Sequence, residues 1–133
     1  MTLEALYDYA AENGIDVDRI DLNTLTAISI PGAIAINPKA IHNSKEEKTI
    51  LAHELGHQLK NAFYNISSSP ESKEIQECRA DRWAIEMCVP FEEMKKAFQN
   101  GITEPWELAE HFTVTEDLIN KALTLYAHKI YNL

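Results

Sequence analysis

His53-Glu54-Leu55-Gly56-His57 sets two imidazoles four residues apart, with a carboxylate directly after the first. On a helix, residues i and i+4 share one face, so both rings point the same way and can grip one metal ion. Glu54 then falls about 80° to one side of the pair, able to reach a water beside the metal without becoming a ligand. It is the expected general base. Leu51, Leu55 and Leu59 fall opposite the histidines, so core and site occupy separate faces of one helix. Gly56 flanks the other side, where a missing side chain lets a second backbone come close.

Two histidines leave a third ligand to find. From Glu77 onward, Cys78, Ala80, Trp83, Ala84, Ile85, Met87 and Cys88 spread over one broad apolar arc, while Arg79, Arg82 and Glu86 take the other. Glu77 and Asp81 sit in the middle of that apolar arc, where carboxylates are costly unless a cation satisfies them. A pair of acids at i, i+4 is also repulsive by itself. Glu71 and Glu74 follow the histidines at a feasible distance, but only Glu77 lies on the core arc with an Asp one turn later. Glu77 is therefore the expected ligand, and Asp81 is expected to fix the tautomer of one histidine, His53, through its far ring nitrogen. A three-histidine site would need Gly at 60 and His at 63, where the chain has Lys60 and Phe63.

The stretches TILAHELGH, ECRADRWAIEMCVP and WELAEHFTVTEDLI resemble the ImmA/IrrE family of zinc-dependent metallopeptidases over roughly residues 25 to 126. In that family H-E-x-x-H is followed by E-x-x-A-N/D-x-F/W-A. The resemblance implies a zincin-like active-site helix, with His53, His57 and Glu77 as metal ligands and Glu54 as the catalytic residue. Ala80, Asp81, Trp83, Ala84 and Pro90 become framework positions. It further implies an endopeptidase that cuts a helix-turn-helix repressor of a phage, mobile element or stress regulon, an antirepressor activity. Longer relatives add DNA-binding or sensor domains, which do not fit in this length.

A His₂Glu set with an open fourth position suits Zn²⁺, with another divalent ion as the alternative. A second electrophile usually assists such chemistry, and His42, Tyr64, His111, Tyr126 and His128 all stay open for that role. The Gly32 to Asn37 segment reads either as an ordinary hairpin or as an exposed edge that adds an extended substrate as a strand.

The charges limit the partners. Twelve Lys+Arg against 21 Asp+Glu leave a net charge of −9, which repels phosphate backbones and anionic lipid. Leu108 to Ile119 mimic a helix-turn-helix, but its second helix would open on Glu116 and Asp117, so DNA binding is the least favoured reading. A repressor-binding or toxin-like protein that keeps a metal for folding is the stronger alternative to a peptidase. MTLEALYDYAAENG has no continuous apolar run, so neither a signal peptide nor a membrane span is expected, and the cytoplasm is the expected compartment. Cys78 and Cys88 lie ten residues apart on one helix, too far to bridge, and reduced thiols are expected.

The elements that position these residues follow from capping and periodicity. With 133 residues, 45% of them apolar and 25% charged, one globular domain over 1–133 is expected. Thr2 caps a first helix stopped by Asn13-Gly14. AISI and AIAI, split by Pro31-Gly32, read as a hairpin or two short strands. Ser44 with Glu47 reads as a capping box for a helix from about Lys45 to Leu59. Pro70 and Glu71 open a second long helix ending near Val89-Pro90, followed by helices over 91–100, 103–112 and 115–130. The sum is an α+β class, mostly helical with one small sheet.

Overall fold

The computed structural model describes residues 1–131. Thr2 Oγ1 accepts from Ala5 N at 3.1 Å and starts helix α1 (Leu3–Glu12), and Gly14, at φ +68°, lets the chain leave it. Three strands follow: β1 (Asp16–Arg19), β2 (Ala27–Ile30) and β3 (Ala33–Ile36). β2 and β3 form the expected antiparallel hairpin, with Ala27 opposite Ile36 and Ile30 opposite Ala33. β1 was not expected, because Asp-Val-Asp-Arg offers only one apolar residue to an alternating pattern. It pairs in parallel with β3, Asp16 opposite Ala33 and Arg19 opposite Ile36, which gives the order β1-β3-β2.

That order corrects one expectation. The Gly32 to Asn37 segment contains β3, the central strand, whose hydrogen bonds are taken on both sides. An added strand has to join at β2 or β1 instead. Asn37 then closes the sheet end from within, its buried amide donating to Asn23 O at 3.1 Å and Leu25 O at 3.0 Å.

After a 3-10 turn at Pro38–Ala40 come helices α2 (Ser44–Leu59), α3 (Pro70–Cys88), α4 (Phe91–Gln99), α5 (Pro105–Phe112), α6 (Glu116–Leu125) and α7 (Ala127–Tyr131). The cap of α2 is Asn43 rather than Ser44: Asn43 Oδ1 accepts from Glu46 N at 2.9 Å, and Glu46 reaches back to His42 N at 2.8 Å. Asn caps as well as Ser, and this register frees Glu47 to bind Tyr7 at 3.0 Å and Arg19 at 2.8 Å. α5 starts at Pro105, two residues later than expected, behind a Glu104/Glu107 capping box. The long last helix is two, broken at Tyr126, whose hydroxyl donates to Val89 O at 3.0 Å and whose ring packs on Phe91.

α1 and α2 cover one face of the sheet, α3 lies along α2, and α6 packs on α3 with α5 beside it. The core gathers Leu6, Ile34, Ile36, Leu51, Leu55, Met94, Leu108 and Ile119, all fully buried. α3 departs from its expected arc at one end. Ala80, Trp83, Ala84, Ile85 and Cys88 are buried, but Cys78 is exposed, because the first turns of α3 run out past the core. The two helices meet most closely at Gly56, where a Cβ would fall 2.4 Å from Ala80 O. That contact sets how far His53 and His57 stand from the acids of α3.

Candidate metal centre and its cleft

His53 and His57 leave α2 on one face, their rings edge to face with centroids 4.8 Å apart and their Nε2 atoms 3.1 Å apart. Glu77 reaches both from α3, with Oε2 at 2.9 Å from His53 Nε2 and Oε1 at 3.1 Å from His57 Nε2. The other ring nitrogens are committed elsewhere. His57 Nδ1 lies 2.5 Å from Ala62 O, and a carbonyl can only accept, so Nδ1 carries the proton and Nε2 a bare lone pair in the neutral ring. His53 Nδ1 lies 2.7 Å from Asp81 Oδ1, which imposes the same tautomer.

Two lone pairs and a carboxylate thus converge on one point. One ligand atom from each of His53, His57 and Glu77 lies within 4.8 Å of the others, and this trio could hold a metal ion. Ligands around a four-coordinate metal at about 2.0–2.1 Å stand roughly 3.3 Å apart, close to the separations here. The N₂O donor set fits zinc or a similar divalent cation.

The electrostatics follow from burial and neighbours. Burial alone would depress the His53 imidazolium, but Asp81, with Glu54 and Glu77 behind it, outweighs that and raises its pKa. Asp81 is held below the usual carboxylate range: burial resists, yet His53 and the Lys121 ammonium, 3.2 Å from its other oxygen, prevail. Glu54 goes the other way. Burial raises its carboxyl and Glu77 adds to the rise, while the two histidines pull against it.

Glu54 lies between two connected hollows. One, of about 220 Å³, runs between β2 and the Ala62–Tyr64 loop and includes His57 and Glu77. The other, of about 300 Å³, includes Thr49, His53, Asp81 and Lys121. They share Ala27 and Glu54, so one groove passes along the β2 edge and across the trio. Gln58, the residue after His57, fastens that edge. Its amide donates to Ser29 Oγ at 2.7 Å and Ile30 O at 2.6 Å, and its Oε1 accepts from Gly32 N at 2.9 Å.

Of the five residues open for the second-electrophile role, only Tyr64 lines this groove, its hydroxyl donating to Glu77 Oε1 at 2.8 Å. The ring of His111 packs on Phe112 and borders a hollow with Met1 and Pro90, Tyr126 is spent on Val89, His42 precedes the cap of α2, and His128 lies on α7. Sequence reasoning missed Gln58 and Lys121 as parts of the site. Neither carries a local signal, since both act on elements distant in the chain.

The profile of the IrrE N-terminal-like domain, a peptidase family, matches residues 11–124. No curated protein and no solved structure matches the chain significantly. The family match and the trio together support a metallopeptidase-type function.

Proposed function

The chain belongs to the IrrE N-terminal-like peptidase family, and from that premise we propose that it is a zinc metallo-endopeptidase that makes a site-specific cut in a partner protein. The observation that carries this reading is the convergence of two bare imidazole lone pairs and Glu77 beside Glu54, a carboxyl outside that trio. His53, His57 and Glu77 would hold the ion. When bound, Zn²⁺ supplies a Lewis acid that acidifies water and polarises the scissile carbonyl.

The chain's own residues do the rest. Glu54 takes the proton of the attacking water and returns it to the departing amide nitrogen, and burial brings its pKa nearer the working pH. Asp81 and Ala62 O keep both imidazoles in the tautomer that leaves Nε2 free. β2 offers the unpaired edge along which an extended peptide adds as a strand, passing Glu54 in the groove.

The substrate we favour is a helix-turn-helix repressor of a phage or other mobile element, which makes the protein an antirepressor acting in the cytoplasm. Among the described residues no helix is long and apolar enough to cross a membrane. DNA itself is a poor partner for the α5–α6 pair, because α6 opens on Glu116 and Asp117 and its Lys121 is engaged by Asp81 and Asp117.

Glu54→Gln tests the reading. It keeps the shape and the trio but cannot take a proton at neutral pH, so hydrolysis should fall by roughly 10²- to 10⁴-fold with metal content unchanged. Wild type and Glu54→Gln are incubated with the repressor encoded beside the gene, with and without chelator, and intact repressor is read by mass spectrometry. Cleavage by wild type alone, abolished by chelator, is expected. If both proteins relieve repression and neither cuts, a repressor-binding protein replaces the peptidase.

A further inference from the structure

Each donor side chain of the trio has its own partner, and the three partners differ in kind. Asp81 and Ala62 O, which hold the imidazoles, belong to a partly buried helix position and a fully buried residue. The third, Tyr64, is 43% exposed and reaches Glu77 from the open side of the groove. The loop that carries it is nonetheless tied down. Asn61, at φ +49°, turns the chain back, Ala62 N donates to His57 O at 2.9 Å, and the rings of Phe63 and Tyr64 lie 6.4 and 6.3 Å from the His57 ring. The phenol therefore stands across the groove from β2, with Glu54 lining the space between them.

A carboxylate that shares its charge with a bound cation is a weaker acceptor than a carbonyl oxygen turning into an alkoxide. We propose that Tyr64 is a catalytic residue whose hydroxyl passes its hydrogen bond from Glu77 to the scissile carbonyl oxygen of a peptide lying along β2. As the water oxygen bonds to the carbonyl carbon, the π electron pair moves onto the carbonyl oxygen and the water's proton goes to Glu54. Tyr64 keeps its proton throughout and acts only as a donor, as an ordinary phenol does at neutral pH. This assignment rests on the peptidase reading.

The test compares zinc-loaded wild type, Tyr64→Phe and Glu54→Gln on a quenched fluorescent peptide that wild type cuts. Zinc affinity is measured against a chromophoric chelator, and affinity for a phosphonamidate analogue of the same peptide, whose tetrahedral oxygens mimic the alkoxide, is measured by inhibition. Tyr64→Phe should lower kcat by roughly 10²- to 10³-fold, with KM and zinc affinity within about threefold of wild type. Its affinity for the phosphonamidate should fall in parallel with kcat/KM. The assignment is overturned if kcat stays within about threefold or inhibitor affinity is unchanged. It is equally overturned if zinc affinity drops along with kcat, since Tyr64 would then only support Glu77. Glu54→Gln separates this from a failure of the peptidase reading, which requires that variant to hydrolyse as fast as wild type.

Discussion

At Gly56 the helices α2 and α3 run so close that a single Cβ would strike Ala80 O, whereas across the groove β2 leaves Ile28 and Ile30 40% and 58% exposed. On the proposed function the two regions have different tasks. The crossing must hold three donor atoms to within a few tenths of an ångström, which only close-packed helices supply. The edge must keep backbone donors and acceptors free for an incoming chain, which forbids burial. Rigidity and access are thereby divided between two elements, and Gln58 joins them.

Breaking the crossing should have the largest effect. Gly56→Ala drives the added methyl into the backbone of Ala80, which cannot swing aside as a side chain end would. Separating the helices should cost about 3 kcal/mol in urea unfolding and move Glu77 away from the histidines, so zinc binding weakens as well. Stability within about 0.5 kcal/mol of wild type would show that the crossing has slack.

Much of this crossing was legible in the chain, because helix faces are local arithmetic. The spacing of His53 and His57, the acids on the core arc and the bare position at Gly56 all follow from 100° per residue. The edge was not legible in the same way. Which of AISI and AIAI lies outside depends on β1, and β1 shows itself only by pairing with β3, since Asp16 and Asp18 hide its pattern. Gln58 and Lys121 act on residues 25 or more and 40 positions away, respectively, at distances where sequence carries no period.

A smaller break on the crossing side is Asp81→Asn. It keeps the size but weakens the hold on the His53 tautomer, and zinc affinity should fall roughly 10- to 100-fold by chelator competition. Loss as complete as that of Glu77→Ala would make Asp81 a ligand instead. The metal-free protein gives an independent check by pH. Asp81 is held below its ordinary value, so its contribution is full above the unfolded value of about 3.9 and disappears as pH falls through the lower folded value. The raised His53 works in the opposite sense. Its contribution is full below about 6.5 and disappears as pH rises through the folded value. Asp81→Asn should remove the first slope and shrink the second, and an unchanged stability profile between pH 3 and 8 would mean the pair carries neither.

Gln58→Ala tests the joint between the two regions and should have the smallest effect on stability. The side chain makes one accepted bond to Gly32 N and donates to Ser29 Oγ, Ile30 O and Ala33 O, all near the exposed turn of the hairpin. Water can replace most of these partners once the amide is gone, so the loss should be about 1 kcal/mol rather than the sum of four bonds. His57 keeps its own anchor on Ala62 O, and zinc affinity should stay within about threefold. The edge, however, loses its amide tie to α2 and keeps there the longer bond of Ser29 Oγ to Glu54 O at 3.5 Å. β2 then samples positions farther from Glu54, and a peptide must order the strand as it binds, so KM should rise several-fold while kcat changes less. A kcat loss with KM unchanged would mean that Gln58 supports the crossing and not the edge, and that the two regions are one unit rather than two.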